Sequence, residues 1–291
     1  MKYFILSSVI FFYSCTSREK AVREHVPVKS GDVNIAYDLK GSGDTMIVFV
    51  HGWAINKEYW QSQGDLFSKR FTTVALDLGG HGQSGRNRNS WTVYDYANDV
   101  IAVITALKAD KVILVGHSMS GDIIATVADS IPQKIIGMVG IDNFKDISTT
   151  RSKEEQDGIN GFLQLLYSRY DSVITAYCYS GLFPPKYPDS VIMKKLVNDV
   201  LQTDSVVSVK TIEAMIQSSL TEGDRLSKVS LPLHVITSDY APVNRPIMEK
   251  YCKGGFREKI IRGTGHYPMI EKPEEFNRLL SETVDEIVAG K

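Results

Sequence analysis

Short apolar runs with a glycine or aspartate within two residues of their end recur along the chain at Met46–Val50, Thr73–Leu78, Lys111–Val115, Ile135–Ile141, Pro232–Thr237 and Lys259–Ile261. Unbroken β-branched runs of this length, without polar alternation, are the pattern of strands buried on both faces. Between and after them apolar residues return at helical spacing: Val93, Ala97, Val100, Ile101, Ile104 and Leu107, then Phe276, Leu279, Leu280, Val284 and Ile287 behind Pro273. Strand, helix, strand in this order predicts an α/β protein, a mostly parallel sheet with helices on both faces.

The alternation breaks off from about Asn143 to Val229, where the pattern is helical, punctuated by Phe183-Pro184-Pro185, and offers no convincing buried strand. This stretch reads as an insertion, 143–229, between two parts of one core, 28–142 and 230–291. Its apolar residues include Phe162, Leu165, Leu166, Tyr170, Ile174 and Tyr177. A helical insertion must bury one face on the core, and the gap left beneath it is the expected pocket.

The N-terminus has its own pattern. Lys2 is followed by an apolar run from Tyr3 to Tyr13, then Ser14 and Cys15. The run is too short for a membrane span, which needs about 20 residues, and one positive charge before a short apolar segment describes a secretory leader. It resembles a bacterial lipoprotein signal, departing from that pattern at Phe12. The resemblance implies a leader at 1–14, a lipid on Cys15, a polar tether at 15–27 and a place in the bacterial cell envelope, held to a membrane through that lipid. Ordinary cleavage with Cys15 discarded or free is the alternative.

Composition narrows the function classes. With 33 Lys+Arg against 34 Asp+Glu, the net charge of -1 leaves no basic surplus to gather around phosphates, which argues against nucleic acid as a partner. Cys178 and Cys252 are too few for a disulfide framework and are expected as unpaired, buried thiols. The six histidines stand singly, with no spacing suited to a metal, so neither metal nor cofactor is implied. Gly80-His81-Gly82-Gln83-Ser84-Gly85 fits a dinucleotide fingerprint, but Arg86-Asn87-Arg88-Asn89 follows in place of an amphipathic helix.

The chemistry-bearing segment is Gly116-His117-Ser118-Met119-Ser120-Gly121, between a buried strand and the amphipathic run Ile123, Ile124, Val127, Ala128. A serine on a sharp strand-to-helix turn projects its hydroxyl from the strand end, with a helix N-terminus behind it to favour developing negative charge. Gly116 and the position of Ser120 must be small for strand and helix to cross, and Ser120 stands where glycine is more usual. Three further segments fall in a compatible order: His51-Gly52-Trp53, Asp77-Leu78-Gly79-Gly80-His81-Gly82-Gln83-Ser84, and Gly263-Thr264-Gly265-His266.

Together these segments resemble the α/β-hydrolase superfamily over nearly the whole chain from about residue 30 to 289. The resemblance implies an α/β-hydrolase fold with a helical cap, Ser118 as nucleophile, His266 as general base, and the Trp53 and Met119 backbone N–H groups as the oxyanion site. The acid belongs at a strand end between nucleophile and histidine. Asp239, after Pro232–Thr237, is expected in that role, and Asp142, after Ile135–Ile141, is the alternative. The implied activity is cleavage of a carboxylic ester of a medium-sized, partly apolar small molecule through an acyl-enzyme. The alternatives are a carbon–carbon bond hydrolase or an aminopeptidase-type amidase on the same triad, or a ligand-binding lipoprotein without catalysis.

Overall fold

A computed structural model of the chain describes residues 27–145, 147, 150–184 and 190–290. The leader expected at 1–14, Cys15, and all of the tether except its last residue lie outside the described residues.

The chain enters through β1 (Val28–Ser30) and β2 (Val33–Ile35), an antiparallel hairpin, and then β3 (Tyr37–Lys40). These strands are short and partly exposed, so they leave no unbroken apolar run and escape the sequence pattern. The buried strands follow: β4 (Met46–Val50), helix α1 (Gln61–Phe67), β5 (Thr72–Leu76), α2 (Val93–Ala106), β6 (Val112–His117), α3 (Ser120–Ser130) and β7 (Ile135–Ile141). Helix α2 starts where Thr92 and Asp95 exchange hydrogen bonds in a capping box, which satisfies N–H groups that have no partner within the helix.

Between β7 and the next strand the described residues form four helices: α4 (Lys153–Gly181), α5 (Ser190–Gln202), α6 (Ser205–Ser219) and α7 (Glu222–Leu226). The chain then returns through β8 (Leu233–Ser238), α8 (Arg245–Tyr251), β9 (Phe256–Ile261), α9 (Pro268–Glu271) and α10 (Pro273–Val288).

The sheet order is β3-β5-β4-β6-β7-β8-β9, with β3 antiparallel and the rest parallel. Every residue of β4, β6 and β8 is buried, as strands covered on both faces require. From β4 the chain moves to one side, to β5, whereas from β6 it moves to the other, to β7. The loops leaving β4 and β6 therefore diverge, and such a switch point leaves a crevice at the C-terminal strand ends. Register makes those ends level: Val50 lies opposite Gly116, His117 opposite Ile141, and Ile141 opposite Ile236. Residues 52–53, 118 and 142 thus emerge side by side. Cys178 and Cys252 are buried and unpaired.

Candidate active site

Ser118 sits where β6 gives way to α3, with φ at +54°, in the left-handed region that side chains avoid. Holding a non-glycine residue there costs about 1 kcal/mol or more, and such strain is characteristic of a nucleophile turn. Close packing enforces the turn. A Cβ on Gly116 would lie 2.6 Å from Ser120 O and 2.9 Å from Ile124 Cγ2. Ser120 is fully buried, and its hydroxyl donates to His51 O at 2.5 Å, tying α3 to the loop after β4.

That loop supplies the other side of the site. A Cβ on Gly52 would stand 2.5 Å from His117 Nδ1 and 3.3 Å from Ser118 Cβ, so only glycine lets the chain run past the serine. His51 fastens the loop in place. Its Nδ1–H donates to Gly52 O at 2.7 Å while Nε2 accepts the Leu78 N–H at 3.0 Å. Burial pushes His51 well below the usual histidine range, which keeps the ring neutral and able to accept. Among the described residues, neither the Trp53 nor the Met119 backbone N–H donates to a backbone carbonyl. The Trp53 indole is held by Ser208 O of α6 at 2.9 Å.

His266 arrives on the loop after β9. Its Nε2 lies 2.8 Å from Ser118 Oγ and its Nδ1 2.6 Å from a carboxylate oxygen, Asp142 Oδ2. The backbone of His266 is clamped on both sides: its N–H donates to Leu182 O at 2.9 Å, and its carbonyl accepts His117 Nε2–H at 2.7 Å. Burial pushes His117 down to about 3, so its ring is neutral and serves as a fixed donor.

The carboxylate beside His266 is Asp142 and not Asp239. Asp142 follows β7 with φ at +49° and is almost wholly buried. Its Oδ1 accepts from Ser238 N–H at 2.9 Å, Ser238 Oγ at 2.8 Å and Thr237 Oγ1 at 3.2 Å, all on β8. Burial opposes its ionisation, but hydrogen bonds and charge from His266 and Lys145 outweigh that and hold the carboxyl well below its usual range. Asp239 is exposed at the end of β8 and accepts the Gly263 N–H at 2.9 Å. It shapes the base of the loop that carries His266, and its side chain is spent there.

Over Ser118 and His266 opens a cavity of about 750 Å³, bounded by Met119, Phe144, Tyr177, Met215 and Tyr240 among others. Cap and core both contribute, and the lining mixes apolar surface with Arg151 and Glu155. The glycine-rich turn after β5 borders a separate cavity of about 480 Å³ with neither Ser118 nor His266 in its wall. Among the described residues no group of histidine, cysteine and carboxylate side chains could hold a metal ion.

Sequence reasoning passed over Lys145, the clamp on His266 made by His117 and Leu182, and the Ser120 hydroxyl. Small residues and a histidine in the motif were legible as sterics, whereas their partners lie far along the chain.

Residues 45–170 match the family model described as alpha/beta hydrolase fold. An uncharacterized protein of Mycobacterium tuberculosis is 26% identical over 268 residues, covering 86% of this chain and 78% of that protein. A 2-(acetamidomethylene)succinate hydrolase of Mesorhizobium japonicum is 33% identical over 138 residues, 47% of this chain and 49% of its own length. Among solved structures, an N-acyl homoserine lactone degrading enzyme superposes with a TM-score of 0.75 at 23% identity, covering 88% of this chain and 99% of that one.

Proposed function

We propose that this chain, which has the α/β-hydrolase fold, is a serine hydrolase that cleaves a carboxylic ester of a medium-sized, partly apolar small molecule through an acyl-enzyme on Ser118. The observation that carries the reading is the unbroken chain from Ser118 Oγ through His266 to Asp142, at 2.8 Å and 2.6 Å, beneath a cavity. Ser118 Oγ attacks the ester carbonyl as its proton passes to His266 Nε2. The oxygen that becomes negative meets the Trp53 N–H on the loop after β4 and the Met119 N–H at the head of α3. Collapse of this intermediate expels the alcohol, protonated by His266, and leaves the acyl group on Ser118. A water that gives its proton to His266 then releases the acid. Asp142 keeps His266 in the tautomer that presents a bare Nε2 to the serine.

Similarity to proteins named for hydrolase and lactone-degrading activities supports a hydrolytic reaction. The decisive measurement is labelling by a fluorophosphonate alongside a panel of small esters, peptide amides and carbon–carbon substrates. Wild-type protein is expected to label and to hydrolyse the esters fastest, with Ser118→Ala losing both while remaining folded. Equal labelling of Ser118→Ala ends the nucleophile assignment, and a faster amide or carbon–carbon reaction moves the substrate class. An unlabelled wild-type protein points to a binding lipoprotein.

The same proposal includes an envelope location through a lipid on Cys15. No helix among the described residues is long and apolar enough to cross a membrane. On this reading retention comes from acyl chains, each buried CH₂ contributing about 0.8 kcal/mol. Native protein is expected in the detergent-soluble membrane fraction and Cys15→Ser outside it or unprocessed. A mature protein that begins at another residue contradicts the anchor.

A further inference from the structure

Asp142 has one partner more than the orientation of His266 requires. The segment Asp142-Asn143-Phe144-Lys145 passes through two left-handed residues, Asp142 at φ +49° and Phe144 at φ +56°, and turns back on itself. This brings Lys145 Nζ to 2.6 Å from Asp142 Oδ2, the oxygen that His266 Nδ1 also reaches at 2.6 Å. The other oxygen is occupied by Thr237 and Ser238. The carboxylate is buried, and the Lys145 side chain, 21% exposed, borders the cavity over Ser118. An ammonium group and an imidazole therefore share one carboxylate oxygen.

The sharing has a direction. A fixed positive charge beside Oδ2 screens part of the negative charge that would stabilise an imidazolium, and it repels that imidazolium directly. Both effects favour the neutral ring, the form that can take the serine proton. They also keep Asp142 ionised and stationary in a buried site.

Resting on the triad reading above, we infer that Lys145 is a positioning residue: it holds Asp142 by Oδ2 and extends the activity of the Ser118–His266 pair toward acid pH. Other charged and titratable groups face the pair without taking this place. On β6, His117 lies with its ring centroid 4.8 Å from that of His266 and is held neutral by burial. On the His266 loop, Tyr267 is buried and pushed well up, and on α9 Glu271 accepts the Gly265 and Tyr267 N–H groups. At the end of β8, Asp239 is bound to Gly263, with Tyr240 beside it at the cavity wall. From the cap, Tyr177 is raised by burial, while Arg151, Glu155 and Glu222 line the cavity. Among the described residues, Lys145 is the one permanent cation within ion-pair distance of Asp142.

The test is the rate of Ser118 labelling by a fluorophosphonate, followed from about pH 4 to 9 across the range where a histidine base titrates, on the full chain and its variants. Lys145→Met is expected to move the acid limb up by about one pH unit, a modest shift because the ammonium group is partly solvated. Lys145→Arg is expected to follow the wild-type curve. Coincident acid limbs for wild type and Lys145→Met overturn the inference. So does an equal displacement in Lys145→Met and Lys145→Arg, which assigns the effect to packing. If the methionine variant does not fold, Lys145→Gln removes the same charge and is read in the same way. Failure of the triad reading looks different: wild-type protein does not label at any pH, or Ser118→Ala labels equally.

Discussion

Two carboxylates stand at neighbouring strand ends, Asp142 after β7 and Asp239 after β8, and the choice between them is made by side-chain direction. Asp142 adopts a left-handed backbone conformation that aspartate and asparagine tolerate better than most residues. From there its oxygens meet Ser238, Thr237, Lys145 and His266. Asp239 lies in the turn just past β8, its own N–H on Ile261 O, and bonds the Gly263 N–H instead. Asp142→Asn should therefore lower kcat by about 10⁴, since the amide cannot enforce the tautomer that leaves Nε2 bare, by analogy with serine proteases. Asp239→Asn keeps a carbonyl oxygen for Gly263 and should cost less than about tenfold, the scale of one weakened hydrogen bond. Steady-state kinetics on a single ester decides it, and a larger loss at Asp239 would reverse the assignment. Position along the chain made both candidates legible. Nothing in the residues near Asp142 announced the turn that points it at a histidine 124 residues away.

Elements were legible in proportion to their burial. β4, β6, β7 and β8 lie inside the sheet, so the physics that buries both faces writes a continuous apolar run. β1 to β3 are three or four residues long and partly exposed, and that requirement does not act on them. The cap shows the opposite difficulty. α4 runs from Lys153 to Gly181 with non-helical φ/ψ at Arg169 (φ -146°, ψ 45°), and its buried positions are Leu166, Ile174 and Cys178. So sparse an apolar stripe marks a helix but not its partner. The decisive tie between cap and core is polar: Arg225 on α7 grips Asp122 on α3 at 2.7 Å and 3.0 Å, with the Ser218 hydroxyl on the same carboxylate at 2.6 Å. Breaking such a buried pair from one side typically costs about 3–5 kcal/mol, because the other charge stays buried. Asp122 lies one turn from Ser118, so the tie that seats the cap also braces the helix behind Ser118. Its halves are 103 residues apart, beyond the reach of any local pattern.

At the scale of the whole molecule, the histidines that frame the site set how the fold answers to acid. His51, His81 and His117 are all buried. Burial is the largest cause in each, holding His51 well below the usual range, His81 at about 4 and His117 at about 3. In the unfolded chain each titrates near roughly 6.5. A base depressed in the folded state contributes stability above its unfolded value and loses it as pH falls toward the folded one. Below about pH 6 the unfolded chain should therefore bind up to three more protons through these rings, a loss of up to about 4 kcal/mol per pH unit. Burial also raises Asp77, Asp99 and Asp122, which works in the opposite direction. Each of those carboxylates has its charge answered, however: Asp77 by two backbone N–H groups, Asp99 by Arg88 at 2.8 Å and Asp122 by Arg225 at 2.7 Å. Protonating His51, by contrast, requires it to give up the Leu78 N–H that its Nε2 accepts. The expected first descent is that of the histidines. Against a typical domain stability of about 5–15 kcal/mol, the urea midpoint should fall clearly between pH 7 and pH 5, well before the low-pH range in which Asp142 gives up its charge. A midpoint unchanged across that interval would mean that the rings take protons within the fold or that the raised carboxylates offset them, and would leave the neutrality of the donors holding His266 and the loop after β4 without support.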